Sequence, residues 1–255
     1  MKVAIKKPKN PKLALQHPTF VVVGMMRSGS NLLERYLDQL PDVRCHGELF
    51  NPAFIGFAAG IGKKPFAGYQ REAPAKRNED ELAFLHAVDR ACDRPVMGMR
   101  LFLDHSPVAT AQLLHDPSVR KVLLSRNLLE SYVSLAIARE TDVWLTTRDP
   151  SEPAKPVTIE TNKFITYALR QTLYFNDVLT VLHRSGQKFE LVDYSELTDI
   201  ERINDVARFV GSKSTLPALN DPVKRQNPGP TATKVENYDK VLEELRKRQL
   251  QRWFA

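Results

Sequence analysis

Several features that mark particular protein classes are scarce or absent in the 255-residue sequence. The two cysteines, Cys45 and Cys92, are too few for a disulfide framework, and neither belongs to a CxxC pair that would indicate metal or redox chemistry. The longest apolar run, residues 20–26, has the length of a strand and falls far short of the roughly 20 residues that cross a bilayer. Aromatic residues make up 8% of the chain and are dispersed, without the interleaved Lys and Arg of a nucleic-acid-binding surface.

The charge of the chain is basic, with 37 Lys and Arg against 30 Asp and Glu and a net charge of +7. This excess indicates an anionic partner, but charge alone does not distinguish nucleic acid, an acidic membrane surface and a phosphorylated small molecule. Residues 1–18 are basic and contain three prolines but no apolar core of a signal peptide. We therefore expect residues 1–18 to form a flexible basic arm, residues 19–255 to form one domain, and the protein to be cytoplasmic.

Strand and helix patterns alternate along the chain. Strands are predicted over residues 20–24, 96–103, 119–125 and 189–193. Helices are predicted from about residue 30 to residue 40 and over about residues 79–92, 106–115, 128–140, 158–185, 199–210 and 237–254. Residues 51–80 show no clear period and are predicted to form an exposed connection. The alternation predicts an α/β fold: a single P-loop-like domain with a central, mostly parallel sheet flanked by helices on both faces.

The sharpest motif is the segment GMMRSGSN at residues 24–31, between the first predicted strand and the first predicted helix. Its two glycines have the spacing of a P-loop, whose backbone N–H groups and following helix N-terminus enclose a phosphate. A P-loop that binds a triphosphate with Mg²⁺ carries Lys and Ser or Thr after the second glycine, whereas Ser30 and Asn31 stand here. Arg27 supplies a fixed cation and Ser28 a hydroxyl, which favours a phosphate that is held and not cleaved.

Two further basic features follow downstream. Arg126 lies at the end of the third predicted strand, and Ser134 lies in the next helix, where both side chains can share an anion at the carboxyl edge of a sheet. Lys224 and Arg225 belong to a basic stretch punctuated by Pro and Gly, which can fold over an anion. Taken singly, Arg126 also fits a salt-bridged arginine, and the basic stretch also fits a solvated loop.

Together these segments resemble the sulfotransferases that use 3′-phosphoadenosine 5′-phosphosulfate (PAPS), particularly bacterial carbohydrate sulfotransferases of the trehalose and Nod-factor type. Residues 26–33 are similar to the family's 5′-phosphosulfate-binding loop in its Arg-Ser-Gly-Ser form. Residues 125–127 with 132–134 are similar to its 3′-phosphate motif. Further similarity lies at residues 134–144, 192–197, 224–228 and 237–238, so the resemblance spans about residues 19–240.

The resemblance implies a PAPS-dependent sulfotransferase domain over residues 19–255 that transfers a sulfuryl group to a hydroxyl acceptor, with a carbohydrate or glycolipid as the expected acceptor, without a metal ion. It implies that the donor nucleotide contacts Arg27, Ser28, Gly29, Ser30, Asn31, Arg126, Ser134, Lys224 and Arg225. Because sulfuryl transfer spreads negative charge onto the leaving oxygen, Arg27 is expected to stabilise that oxygen as a permanent charge.

The acceptor hydroxyl requires a general base within hydrogen-bond reach. By the resemblance, Glu48 occupies the place of a catalytic glutamate, and it also fits a surface or capping carboxylate. His105 is the rival, because it follows the second predicted strand, from which some sulfotransferases take a base or a catalytic cation. Arg100 on the same strand is a candidate active-site cation. The sequence leaves the choice between Glu48 and His105 open.

Two functions of other classes stay as alternatives. A P-loop kinase of nucleotides or small molecules requires a lysine in the phosphate loop and Mg²⁺ ligands, and the loop has no lysine. A basic nucleic-acid-binding module without catalysis requires stacking aromatics among its cations. We therefore expect PAPS and a hydroxyl-bearing acceptor as partners, with no nucleic acid and no transmembrane segment. Neither the acceptor nor the oligomeric state is indicated.

Overall fold

The fold is built on a parallel sheet. The computed structural model describes residues 12–145, 155–220 and 228–253. Within these ranges, five strands form one sheet of order β2-β3-β1-β4-β5, and every neighbouring pair is parallel. The strands are β1 (Thr19–Val23), β2 (Val43–Cys45), β3 (Val96–Leu101), β4 (Arg120–Ser125) and β5 (Phe189–Asp193). The predicted α/β class with a parallel central sheet is confirmed.

Helices connect the strands and cover the sheet. They are α1 (Ser30–Asp38), α2 (Pro74–Glu79), α3 (Glu81–Arg90), α4 (Pro107–His115), α5 (Leu128–Thr141), α6 (Thr161–Ser185), α7 (Ile200–Val210) and α8 (Tyr238–Lys247). Short 3₁₀ turns lie at Ala59–Ile61, Tyr194–Thr198, Thr231–Lys234 and Gln251–Trp253. No helix in the described ranges combines the length and the apolar composition that crossing a bilayer requires.

Alternate residues of the central strand β1 enter two different cores. Val21 and Val23 belong to the cluster formed with α3, α4 and α6. Phe20 and Val22 belong to the cluster on the other face, formed with α1 and α7. Because successive side chains of a strand point to opposite faces, β1 is buried on both sides, and its residues 20–23 are all apolar. A third cluster joins α5, α6 and α8 at the edge of the domain.

Two sequence-based predictions about local structure are wrong, and one strand was not predicted. The strand β2 was missed because its three residues include a charged one, Arg44, which is buried through ion pairs with Asp38 and Asp93. Residues 51–80 are not simply an exposed connection: Ile55 and its neighbours up to residue 58 are buried although they form no regular element. The final helix ends at residue 247 rather than 254 and is followed by a short 3₁₀ turn.

Candidate active site

The candidate site lies at the carboxyl edge of the sheet, between β1 and β4. The chain leaves β1 toward β2 on one side of the sheet and leaves β4 toward β5 on the other. In open parallel sheets, the crevice where connections diverge in this way is the usual place for a ligand. The loops that follow β1 and β4 carry the two motifs found in the sequence, so both motifs meet at this crevice.

The loop after β1 turns sharply into α1. Arg27 and Gly29 both have positive φ angles, 67° and 93°, and Gly29 caps the helix, which begins at Ser30. No side chain accepts a hydrogen bond from the first turn of this helix in the described structure. A Cβ atom at Gly29 would lie 2.6 Å from Cδ2 of Tyr194, so both the backbone conformation and the close packing require glycine.

The same loop has the properties of a phosphate cradle. The backbone N–H groups of Ser30 and Asn31 stand in the first turn of α1, where a helix offers them no acceptor. The Ser28 hydroxyl is buried and has no hydrogen-bond partner in the described part of the chain. Buried hydroxyls are normally hydrogen-bonded, so this one fits a group that accepts a hydrogen bond from it. Arg27 adds a cation at the same loop, and these residues therefore fit a phosphate group.

Arg27 joins this loop to the loop and helix that follow β4. Its Nε donates to the Ser134 hydroxyl at 3.1 Å, and its carbonyl oxygen accepts a hydrogen bond from Nη1 of Arg126 at 2.8 Å. Burial and the nearby charge of Arg126 both lower the pKa of Arg27. The positive charges of Arg27 and Arg126 repel one another, and an anion bound beside both guanidinium groups would relieve this repulsion. The site is therefore suited to a ligand with more than one anionic group.

Arg126 is oriented by two neighbours. Its Nη2 lies 3.2 Å from Oε2 of Glu130, and its guanidinium carbon lies 3.9 Å from the centre of the Tyr194 ring. Asn127 caps the following helix α5 by accepting hydrogen bonds from the backbone N–H groups of Leu129 and Glu130. A planar guanidinium stacked on a ring can bind a phosphate through two N–H groups of one edge, and in Arg126 the Nε and Nη2 edge is occupied by Glu130.

A second polar group surrounds Glu48, beyond the end of β2. Oε2 of Glu48 lies 3.3 Å from Nε2 of His105 and accepts a hydrogen bond from the Asn51 amide at 2.7 Å. Oε1 lies 3.3 Å from Nη1 of Arg100. Burial alone would raise the pKa of Glu48, but the hydrogen bond from His105, the charge of Arg100 and the Asn51 amide together lower it to about 2. Glu48 is therefore a carboxylate at neutral pH.

The contacts of His105 define its tautomer. Nδ1 lies 3.2 Å from the backbone nitrogen of Phe102, which can only donate a hydrogen. In the neutral ring, Nδ1 is then the acceptor and Nε2 carries the proton that His105 donates to Glu48. The His105 side chain is fully buried, so both ring nitrogens are committed to protein groups.

Arg100 connects this carboxylate to the phosphate loop. Its Nη1 lies 3.3 Å from Glu48 and 3.4 Å from the hydroxyl of Ser30, and its Nε lies 2.7 Å from Oε2 of Glu34. The contact with Glu34 is an ion pair by distance, although the N–H is not aligned for a hydrogen bond. Burial raises the pKa of Glu34 despite the charge of Arg100. Of the two carboxyl groups beside Arg100, Glu48 is thus the one held more firmly in its ionised form.

Comparison with known proteins places this arrangement in a family. The model of the sulfotransferase family matches residues 18–150, more than half of the chain and a range that includes both loops and the Glu48 group. The chain belongs to the sulfotransferase family. It is accordingly an enzyme of sulfuryl transfer.

Curated relatives of this sulfotransferase include two bacterial proteins. Nodulation protein H of Rhizobium meliloti is 24% identical over 238 residues, which cover 87% of this chain and 89% of that protein. Nodulation protein H of Rhizobium tropici is 29% identical over 141 residues, which cover 52% of either chain. The match with the Rhizobium tropici protein therefore spans only about half of its length.

Solved structures show a similar fold. A sulfotransferase from Alicyclobacillus acidocaldarius has a TM-score of 0.54 and 18% identity, with 94% of this chain and 95% of that chain covered. A sulfotransferase from Mycobacterium avium has a TM-score of 0.50 and 12% identity, with 91% and 76% covered. At this level of identity, the comparison supports the P-loop-like α/β fold and nothing finer.

The sulfotransferase structure brings most of the sequence-predicted residues into two adjoining groups. The first group contains Arg27, Ser28, Gly29, Ser30, Asn31, Arg126 and Ser134, and the second contains Glu48 and His105. Arg100 lies between the groups. Lys224 and Arg225 lie outside the described residues.

Several contacts of the sulfotransferase site were not predicted from sequence. Glu34 and Asn51 touch Arg100 and Glu48, and Tyr194 packs on Arg126 and beside Gly29. Tyr194 lies in residues 192–197, a segment whose sequence is similar to that of the family. That similarity did not indicate a role for the tyrosine. Glu34 follows Ser30 by one helical turn, which places the two residues on one side of α1 and was the signal available for it.

Proposed function

We propose that this sulfotransferase takes the sulfuryl group of PAPS and transfers it to a hydroxyl group of a carbohydrate. The observation that carries the donor assignment is the convergence of Arg27, Ser134 and Arg126 at one crevice, although Arg27 and Ser134 are 107 residues apart in sequence. PAPS carries a sulfated 5′-phosphate and a separate 3′-phosphate, and the crevice offers one cationic centre for each. A nucleotide with only one of these anionic groups would leave one of the two cationic centres of the crevice without an anion.

The donor is divided between the two loops in this proposal. The 5′-phosphosulfate lies on the loop and helix start formed by Arg27, Ser28, Gly29, Ser30 and Asn31. The 3′-phosphate lies against Arg126 and Ser134. Lys224 and Arg225 are proposed, from the resemblance alone, to cover the nucleotide.

The transfer step displaces a phosphate oxygen from sulfur. The acceptor hydroxyl oxygen forms a bond to sulfur, the bond from sulfur to the bridging oxygen of the 5′-phosphate breaks, and the hydroxyl proton passes to a base. The products are a sulfate ester and adenosine 3′,5′-bisphosphate. Arg27 stabilises the negative charge that develops on the leaving oxygen, as cations do in phosphoryl transfer. Arg27 must turn away from Ser134 to do this.

Glu48 is the proposed base, and His105 is proposed to position it. The buried His105 ring uses Nδ1 to accept the Phe102 N–H, so it has no free lone pair for the acceptor proton. Glu48 is ionised and retains a partly exposed side chain. Its low pKa makes it a weak base, but proton transfer is late in a loose transition state, so its position matters more than its strength.

The donor proposal is tested by nucleotide binding. We expect adenosine 3′,5′-bisphosphate to stabilise the folded protein by RT ln(1 + [L]/Kd), so that the melting temperature rises with the logarithm of its concentration, whereas ATP with Mg²⁺ has little effect. Ser28→Ala removes the buried hydroxyl that has no hydrogen-bond partner in the described part of the chain. It is expected to lower the affinity for the bisphosphate without lowering the stability of the ligand-free protein. Stabilisation by ATP with Mg²⁺ and none by the bisphosphate would replace this proposal with the kinase alternative.

The choice of base is tested by comparing two variants. Glu48→Gln is nearly isosteric and is expected to lower kcat by about 10²- to 10⁴-fold, with bisphosphate affinity unchanged. His105→Gln is expected to lower kcat less, because the carboxylate remains. If Glu48→Gln retains full turnover while His105→Gln abolishes it, the histidine is the base.

The carbohydrate acceptor rests on the resemblance to carbohydrate sulfotransferases and on the likeness to two proteins named Nodulation protein H. A screen with labelled PAPS across glycans, phenols and peptides tests it directly. We expect label in glycans. Transfer confined to phenols or peptides would leave the donor site intact as a proposal and remove the carbohydrate acceptor.

A further inference from the structure

A tryptophan is exposed beside the candidate active site. Trp144 lies in the segment that follows α5, and 44% of it is accessible to solvent. Leu145 beside it is 41% exposed. Large apolar side chains normally lie in the core, as Trp253 does in this protein with 3% exposure. An exposed indole next to a catalytic crevice therefore calls for a functional explanation.

The backbone of Trp144 is hydrogen-bonded to Arg27 of the phosphate loop. Nη1 of Arg27 donates a hydrogen bond to the Trp144 carbonyl oxygen at 2.7 Å, while Nε of the same guanidinium contacts Ser134. Trp144 thus stands within one hydrogen bond of the arginine that is proposed to stabilise the leaving oxygen. The acceptor hydroxyl must reach the sulfur near that arginine, so the rest of the acceptor must lie in its surroundings.

The indole is held in place by its own segment. Nε1 of Trp144 donates to Oδ1 of Asp142 at 3.0 Å, and Asp142 adopts a left-handed backbone conformation, with φ 53°, at the end of α5. The ring is therefore oriented by a hydrogen bond and remains solvent-accessible. A fixed and exposed aromatic face loses little conformational entropy when a ligand covers it.

We propose that Trp144 forms the acceptor subsite and stacks on a sugar ring of the carbohydrate. One face of a pyranose presents C–H groups, which suit an indole, while the hydroxyls at the ring edge can donate to the Asp142 carboxylate. This inference rests on the proposed function, since it assigns a residue to the carbohydrate acceptor. It goes beyond that function in locating the acceptor on the side of Arg27 that faces the end of α5.

The kinetic test uses Trp144→Ala, which removes the ring and retains the backbone carbonyl that contacts Arg27. We expect the KM for a glycan acceptor to rise about tenfold, because the stacked area is lost, while the KM for PAPS stays within about twofold. Trp144→Phe keeps an aromatic face and should recover most of the loss. Leu173→Ala, which shortens another exposed apolar residue on α6, is the matched control and should change neither constant.

The binding test uses intrinsic fluorescence, because the chain has two tryptophans. In Trp253→Phe, the emission comes from Trp144 alone. With adenosine 3′,5′-bisphosphate saturating, trehalose and a tetramer of N-acetylglucosamine are each titrated. We expect at least one sugar to change the Trp144 emission with a midpoint near its kinetic constant. Trp144→Phe, which reports only the buried Trp253, should show no change.

The outcomes separate this inference from the function on which it rests. An unchanged acceptor KM in Trp144→Ala, with sulfate still transferred to the glycan, overturns the subsite and leaves the function standing. Equal increases in both KM values would show that the ring supports the donor site, which also overturns it. If the protein binds the bisphosphate but no sugar changes the emission or receives sulfate, both the subsite and the carbohydrate acceptor are wrong. Failure to bind the bisphosphate refutes the donor proposal itself.

Discussion

Replacing Arg126 with alanine should remove the preference of the enzyme for a nucleotide with a 3′-phosphate. In the structure, the guanidinium spans two partners: Nη1 reaches the Arg27 carbonyl at 2.8 Å, and the Nε and Nη2 edge faces Oε2 of Glu130 at 3.3 and 3.2 Å. A phosphate that displaces Glu130 from this edge gains two charge-assisted hydrogen bonds. The change Arg126→Ala deletes both.

The size of the effect follows from these contacts. A charge-assisted hydrogen bond is worth about 1.5 to 3 kcal/mol, and displacing the partly exposed Glu130 pair costs about 1 kcal/mol or less. Two such bonds less the cost of displacing Glu130 give a net loss of about 2 to 5 kcal/mol, which corresponds to an affinity lower by roughly 30- to 4,000-fold. Adenosine 5′-phosphate lacks the group that Arg126 holds, so its affinity should fall by about threefold at most.

Isothermal titration calorimetry with the two nucleotides, at one fixed ionic strength, measures both affinities. Glu130→Gln is the matched control, because it removes the carboxylate that competes for Arg126. This variant should bind the bisphosphate a few times more tightly than the unmodified protein, so the two changes on one ion pair have opposite signs. Such a reversal distinguishes a role in recognition from a general loosening of the site.

Two results would refute the reasoning. If Arg126→Ala weakens both nucleotides equally, the arginine acts by supporting the phosphate loop through the Arg27 carbonyl and not by holding a 3′-phosphate. If the unmodified protein already binds both nucleotides with equal affinity, the crevice does not recognise a 3′-phosphate at all.

Three other changes test the site and the fold. Gly29→Ala should lower the melting temperature by about 5 °C, since a left-handed backbone costs a residue with a Cβ atom about 1 to 2 kcal/mol. It should also abolish bisphosphate binding in calorimetry, because the new Cβ atom would collide with Tyr194. Normal binding would contradict the phosphate cradle. Asn51→Ala should raise the pKa of Glu48, so the acid limb of kcat/KM, where activity falls as the base takes up a proton, moves to higher pH; an unmoved limb would contradict Glu48 as base. Burial lowers the pKa of Lys121 to about 8, so between pH 8 and 10.5 the folded protein binds fewer protons than the unfolded chain. The free energy of unfolding should therefore rise with pH over this range, by up to about 3 kcal/mol. Urea unfolding at several pH values should show this rise in the unmodified protein but not in Lys121→Met.

The fold was predictable from sequence wherever a local pattern dictates structure. The apolar run of β1 and the boundaries of β5 follow from strand patterns, and the predicted start and end of α5 agree with the structure to within one residue. The strand β2 was not predictable, because Arg44 is buried only through ion pairs with distant residues. Burial of residues 55–58 was not predicted for a different reason, since irregular chain segments carry no hydrophobic period.

The sequence indicated candidate site residues, and their contacts with one another were not predictable from it. The spacing of the loop at residues 24–31 indicated a phosphate cradle, and the family resemblance pointed to Arg126, Ser134 and Glu48. The sequence left the choice between Glu48 and the rival His105 open, and the contact that supports the proposal of Glu48 is the backbone N–H of Phe102, which donates to Nδ1 of the histidine. That contact depends on the backbone turn after β3, and the residue types of the sequence do not indicate it.

The hydrogen bond between Arg27 and Ser134 gives the proposed donor site an internal competitor for its own ligand. When a bisphosphate product leaves, Arg27 can return to the Ser134 hydroxyl and the Trp144 carbonyl, so the emptied site does not retain an unpaired, partly buried cation. If the donor is PAPS, as proposed, we expect this competition to lower the affinity for the product and to shorten its residence time. The proposed product would keep two of the three anionic groups of the donor, so such a competitor would favour its release.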